Sequence, residues 1–197
     1  LCADSLPRNL YFFDFSIAPP LMLYSYLPAI ILSFLIGLFV MIKSKYTLVS
    51  RLLFAISISF SLWVFNYLFQ WTIAYVNPDM FSWKIGALLI LPMFYFTLYF
   101  VYVFLNNKDA SLKAKILFLV TLFPVLFLMP TDFNMKYFDV TNCEGSIGPL
   151  WYYIYSIEAL LIISIIILGI HSYRKNIDRR VKGEIIFLII GATSFLG

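Results

Sequence analysis

Charge is what this sequence has least of. Its 14 basic and ten acidic residues make up 12% of 197 positions, about half the share of an ordinary soluble domain, where charged residues run at about 25%. Histidine occurs once and cysteine twice, which excludes a Cys/His metal cluster and a disulfide-dense scaffold. Reactive motifs are missing too. There is no HExxH, no GxSxG, no pair of intramembrane aspartates and no glycine-rich phosphate loop, so metal hydrolysis, acyl transfer and nucleotide binding have no foothold. The chain reads as non-enzymatic, with no metal and no cofactor. Nucleic-acid binding is excluded as well, because the net charge of +4 is divided over short loops instead of gathered on one surface.

What fills the sequence is hydrocarbon: 62% of residues are hydrophobic, 20% aromatic, and the mean hydropathy is +0.92. Uncharged stretches run over 15–42, 52–78, 85–107 and 116–131, then 145–173 broken only by Glu158, then 185–197. A bilayer core about 30 Å thick needs about 20 apolar residues of helix. Runs such as Ala29-Ile30-Ile31-Leu32 are apolar at every position, whereas a spanning barrel needs alternation. The pattern predicts an all-α polytopic transmembrane helix bundle with spans near 22–42, 52–75, 84–106, 114–130, 149–172 and 182–197, preceded by an extracytoplasmic segment 1–20. Span four is the weakest, and Lys113 and Lys115 are expected to snorkel from its start.

Orientation follows from Lys and Arg, which stay with cytoplasmic loops. The loops after spans one, three and five hold 11 of the 14 bases; the N-terminal segment and the other loops hold only Arg8, Lys84 and Lys136, with the acids Asp4, Asp14, Asp79, Asp132, Asp139 and Glu144. The N-terminus is therefore expected outside. Six spans would leave no cytoplasmic end, so a seventh is expected past Gly197, and 21–197 reads as an incomplete seven-helix region. Topology alone explains the basic loops, with polybasic lipid binding as the alternative.

Cys2 and Cys143 both fall on the outer side, where a disulfide is permitted; alternatively Leu1-Cys2-Ala3 is the tail of a signal peptide. The aromatics and turn formers of 1–20 and 131–148 form either a cap over the outer end or an interfacial belt. His171, beside Arg174, reads as an interfacial residue.

Polar groups inside the spans are few. Glu158 is the one ionisable residue deep in a span, and a carboxylate there must face protein or a wet cavity. Trp151 and Tyr155 lie seven and three residues before it, so a tyrosine hydroxyl is within a turn, and no base sits at its depth. A neutral, hydrogen-bonded acid is expected, serving either structure or a ligand, proton or ion. In span two, Ser59, Trp63, Asn66 and Gln70 recur at intervals of 4, 3 and 4 and share one face; packing explains them, or a polar pocket shared with Glu158 does. Glu158, Tyr155, Trp151, Asn66, Gln70 and Trp63 are thus the candidate ligand-binding set. Tyr95, Tyr99 and Tyr102 share a face of span three, Pro28, Pro92 and Pro124 interrupt their helices, and Ser33 with Gly37 permits close helix approach.

Four stretches carry a resemblance: Ser61-Leu62-Trp63 with Asn66-Tyr67; Trp83-Lys84-Ile85-Gly86 leading to Pro92-Met93-Phe94; Gly148-Pro149-Leu150-Trp151-Tyr152-Tyr153; and Arg179-Arg180 before the Gly191 span. In their order and spacing, over most of 20–197, the sequence resembles the N-terminal seven-transmembrane region of bacterial and archaeal sensor histidine kinases. The resemblance implies a sensory input domain of a two-component system in the plasma (inner) membrane, passing a stimulus to a cytoplasmic signalling domain in cis. The expected partners are the lipid bilayer, that domain and a second copy as a homodimer. It carries over no binding residues. The rival reading, a transporter or channel component, predicts a continuous polar path and often an inverted repeat, and neither is visible.

Overall fold

The structure, a computed structural model, describes residues 19–73, 75–139, 144–175 and 178–196. Six helices follow one another: α1 (Pro20–Lys43), α2 (Leu48–Thr72), α3 (Val76–Asn106), α4 (Leu112–Leu128), α5 (Pro149–Lys175) and α6 (Arg179–Leu196). Between α4 and α5 the chain makes two short strands, β1 (Met135–Asp139) and β2 (Glu144–Ile147). They pair antiparallel, Met135 opposite Ile147 and Asp139 opposite Glu144, with an irregularity between Met135 and Phe138. The class is all-α, as expected, and the one addition is this short hairpin in the stretch expected to be loop.

Local signals set the helix ends. Pro19 and Pro20 open α1, where a missing N–H costs nothing. Thr47 Oγ1 accepts from Ser50 N at 3.3 Å to start α2, and Ser111 Oγ accepts from Ala114 N at 3.3 Å to start α4. Asn107, left-handed at φ 51°, closes α3. Asp178 Oδ1 accepts from Arg180 N at 2.8 Å, which lets α6 begin at Arg179, inside the basic cluster. The largest correction is α3. It starts at Val76 instead of 84, because Pro78 falls within its first turn, where proline is tolerated. Pro28, Pro92 and Pro124 all lie inside their helices.

Neighbouring helices run antiparallel, as the contacts between them require: Ser61 Oγ donates to Ile30 O and Ser33 Oγ to Ser57 O. Gly37 is the one buried residue of α1, and an added Cβ there would lie 2.5 Å from Ser57 Oγ. The Ser33 and Gly37 pair therefore does sit at the α1–α2 contact. Helix α3 is central, touching α2, α4, α5, α6 and β1. Its Ala87, Leu91, Phe94, Leu98 and Val101 pack with Ile154, Ile157, Leu161 and Ile165 of α5, each set spaced three or four residues apart along one face. Helix α4 buries only Val125. It is tied to its neighbours by Thr121, whose Oγ1 is 2.6 Å from the Tyr95 hydroxyl and whose carbonyl accepts from the Tyr153 hydroxyl at 2.8 Å. That carbonyl lies in the turn where Pro124 removes a backbone donor.

Four helices, α1, α2, α3 and α5, are long and apolar enough to cross a membrane. Their 24 to 31 residues rise about 36 to 46 Å. Helix α4 has 17 residues, and the first six of α6 include Arg179, Arg180, Lys182 and Glu184, so these two fall short by the same measures. Large apolar side chains, among them Ile31, Ile36 and Phe39 of α1 and Leu119, Phe123 and Phe127 of α4, lie exposed, an arrangement suited to hydrocarbon and foreign to a monomer in water. The end carrying β1 and β2 is called the hairpin end below, and the opposite one, with most of the Lys and Arg, the basic end.

Candidate functional site

The stripe on α2 does not act as one unit. Ser59 and Asn66 are buried, while Trp63 and Gln70 are half-buried. Asn66 is fully engaged with α3: Ser82 Oγ donates to its Oδ1 at 2.8 Å, and its Nδ2 donates to Ser82 O at 3.2 Å. Gly86 lies beside this pair, where an added Cβ would make an ordinary contact of 3.6 Å with Asn66 Nδ2. The packing explanation of Asn66 is the one the geometry matches.

Glu158 behaves differently. It is half-buried on α5, its Oε1 is enclosed, and among the described residues that oxygen has no hydrogen-bond partner. The expected bond from Tyr155 is absent. Tyr155 is 47% exposed and instead packs its ring against Trp151, centroids 5.7 Å apart. The two residues differ by three along the helix and point about 60° apart, which parts them here. Glu158 is nine residues into α5 and Trp63 nine from the end of α2, so both lie about 13 Å from the hairpin end. Aromatic pairs gather at that level: Trp63 with Tyr67 at 5.0 Å and Phe60 with Phe195 of α6 at 5.4 Å. A single carboxyl among aromatics can exchange a proton or contact a cation. It cannot supply the two convergent groups that most hydrolytic or transfer chemistry needs.

Three residues near the hairpin end escaped the sequence reading. Asp79, expected in an outer loop, is in the first turn of α3 and 1% exposed, where the positive end of the helix favours a carboxylate. Asn77-Pro78-Asp79 reads as a turn, and the same residues suit a helix start; that ambiguity hid it. Asn134, with 0% exposure, donates from Nδ2 to Lys84 O and to Met129 O, both at 2.9 Å, clipping α3, α4 and the hairpin together. Trp83 lies under the hairpin, its ring 3.1 Å from where a Cβ of Gly145 would sit. The run Pro130-Thr131-Asp132-Phe133-Asn134 signals a turn but not its target. The hairpin between α4 and α5 thus packs on α3, while 1–18, the other part of the expected cap or belt, lie outside the described residues. Cys2 and Cys143, and with them the disulfide, lie outside the described residues.

Three cavities open elsewhere. One of about 370 Å³ lies between α1, α2, α3 and α6, beside Ser33, Ser57, Thr97 and Gly191. One of about 400 Å³ lies between α5 and α6, beside Gly169, Ile186 and Arg174. The third, about 400 Å³, lies between α3, α4 and α5 beside Tyr99 and Tyr102. These three are not lined by Glu158, Tyr155, Trp151, Asn66, Gln70 or Trp63. Near the third, Tyr99 donates to Asp109, and Lys115 Nζ is 2.7 Å from its other oxygen. Those two bonds, that of Lys115 foremost, hold the Asp109 carboxyl below the usual carboxylate range. Lys115 thus turns back to Asp109. Among the described residues no group of three or more His, Cys, Asp or Glu could hold a metal ion. Comparison with protein families, curated proteins and solved structures finds no match to this chain.

Proposed function

We propose that the chain is a membrane-embedded sensory input domain of a signal-transducing protein, of the histidine-kinase type that its sequence resembles. In this reading all six helices cross the plasma membrane of a bacterium with the N-terminus outside, α4 and α6 relying on their neighbours, and a further span leads to a cytoplasmic output domain in cis. The observation that carries it is Glu158, an enclosed carboxyl oxygen without a hydrogen-bond partner among the described residues. A buried polar group left so is costly, and sites of this kind within a membrane are retained for function more than for stability.

Helix α5 supplies the route. It is continuous from Pro149, beside the hairpin, to Lys175 at the basic end, so a change around Glu158 is carried along one rigid element. A stimulus shifts the equilibrium only if it binds two arrangements with different affinity. The test is Glu158→Gln in the protein joined to its output domain. Insertion should be unchanged and the stimulus response altered; an unaltered response removes Glu158 from the mechanism. Cysteines introduced at Lys45 and Arg179 should resist impermeant reagents added to intact cells, and labelling from outside would reverse the orientation.

A further inference from the structure

The two cavities nearest the basic end differ in one respect. The one beside Tyr99 has its neighbouring base, Lys115, paired with Asp109 at 2.7 Å. The one between α5 and α6 has bases at its mouth that no acid neutralises. Its walls are aliphatic, with Ile170, Ile186 and Ile190 exposed along it and Gly169 at its floor, where α6 approaches so closely that a Cβ would lie 2.4 Å from Ile189. Arg174 lines the mouth. Lys182 stands 4.9 Å over the Tyr173 ring, which lines it too. Neither makes a salt bridge among the described residues, and of the two nearby acids, Glu184 is paired with Arg180 at 3.4 Å while Asp178 accepts the backbone N–H of Arg180.

We infer that this groove is a binding site for one anionic phospholipid. An acyl chain lies against the isoleucines, and the phosphate sits between the guanidinium of Arg174 and the ammonium of Lys182. Charge complementarity selects the occupant. A zwitterionic lipid fills the aliphatic wall equally well and leaves two cations uncompensated, whereas a free phosphate satisfies the cations and leaves the wall bare. Basic pockets between helices at a membrane surface hold anionic head groups by this combination. The inference needs only that α5 and α6 lie in a bilayer; it does not need Glu158 to sense anything.

The test is native mass spectrometry of the whole chain released from vesicles of equal phosphatidylcholine and phosphatidylglycerol. One phosphatidylglycerol per chain should be retained in preference. Arg174→Gln with Lys182→Gln should weaken that retention on the order of thirty-fold, the effect of two cations near the surface. Lys43→Gln with Lys45→Gln, elsewhere at the same end, should not. Ile186→Trp, which fills the groove and leaves the charge unchanged, should also displace the lipid, and it carries the test if the double variant fails to fold. Equal retention of the two lipids, displacement by millimolar inorganic phosphate alone, or equal losses in the two double variants would overturn the site. An Arg174/Lys182 loss beside a normal Glu158→Gln response would remove Glu158 from the sensory mechanism and leave this site standing.

Discussion

The hairpin end and the basic end of the molecule are held together by different means. Toward the hairpin end, side chains reach across to other elements: Asn66 with Ser82, Asn134 with Lys84 O and Met129 O, and Lys84 Nζ to Pro130 O at 3.2 Å. At the basic end two of the three cavities separate the helices, and the polar contacts are surface ones, such as Lys115 with Asp109 and Arg180 with Glu184. Buried hydrogen bonds fix one geometry, and exposed pairs fix little. The difference places the rigid part at the hairpin end and the adaptable part at the basic end.

The contrast breaks most sharply at glycine. Gly148→Ala puts a Cβ 2.2 Å from Phe133 O, a backbone atom, and should cost more than about 3 kcal/mol or prevent folding. Gly183→Ala, near the start of α6 at the basic end, meets nothing within 4 Å and should stay within about 0.5 kcal/mol of the parent. Thermal unfolding in one detergent compares them, and similar losses would erase the distinction. Asn134→Ala comes next. It removes both clips and leaves two carbonyls short of a donor, at about 2–3 kcal/mol, with faster hydrogen exchange in the hairpin. A double-mutant cycle of Asn66→Ala and Ser82→Ala should give a coupling of about 0.6 to 1.7 kcal/mol; a value near zero would mean that packing alone joins α2 to α3. The smallest effect belongs to Asp109→Asn. Its folded-state pKa is depressed, so its stabilisation is complete above the ordinary carboxylate range and is lost only as the pH falls below that range. The parent and Asp109→Asn melting curves should differ slightly at neutral pH and converge in acid.

Much of the fold was legible because long apolar runs leave helices little alternative. The starts of α1, α4 and α5 and the ends of all six lie within about three residues of the expected spans, a margin typical of helix ends. Two of the six apolar stretches proved shorter or more charged at one end than a lone span requires, since hydropathy says nothing of how neighbours share the load. The start of α3 was missed because proline and aspartate serve turns and helix starts alike. The hairpin was missed because Met135–Asp139 becomes a strand only against Glu144–Ile147 and the Trp83 ring, contacts no local window contains. At the candidate site, the single face of Ser59, Trp63, Asn66 and Gln70 was read from spacing, while Ser82, the partner of Asn66, looked like an ordinary helical serine. Glu158 was singled out as the one ionisable residue deep in a span, but the hydroxyl of nearby Tyr155 does not bond its carboxyl, since adjacency along a helix does not aim a hydroxyl at a carboxyl.

Helix α4 offers one more consequence. With Val125 its lone buried residue and both cross-links of Thr121 made at a single height, it resembles an oar in a rowlock. The two phenols and the hydroxyl and carbonyl of Thr121 form the pivot, and the Asp109 tether limits the swing of the handle. Lengthening that tether by one residue should widen the arc at the basic end and leave the pivot where it is.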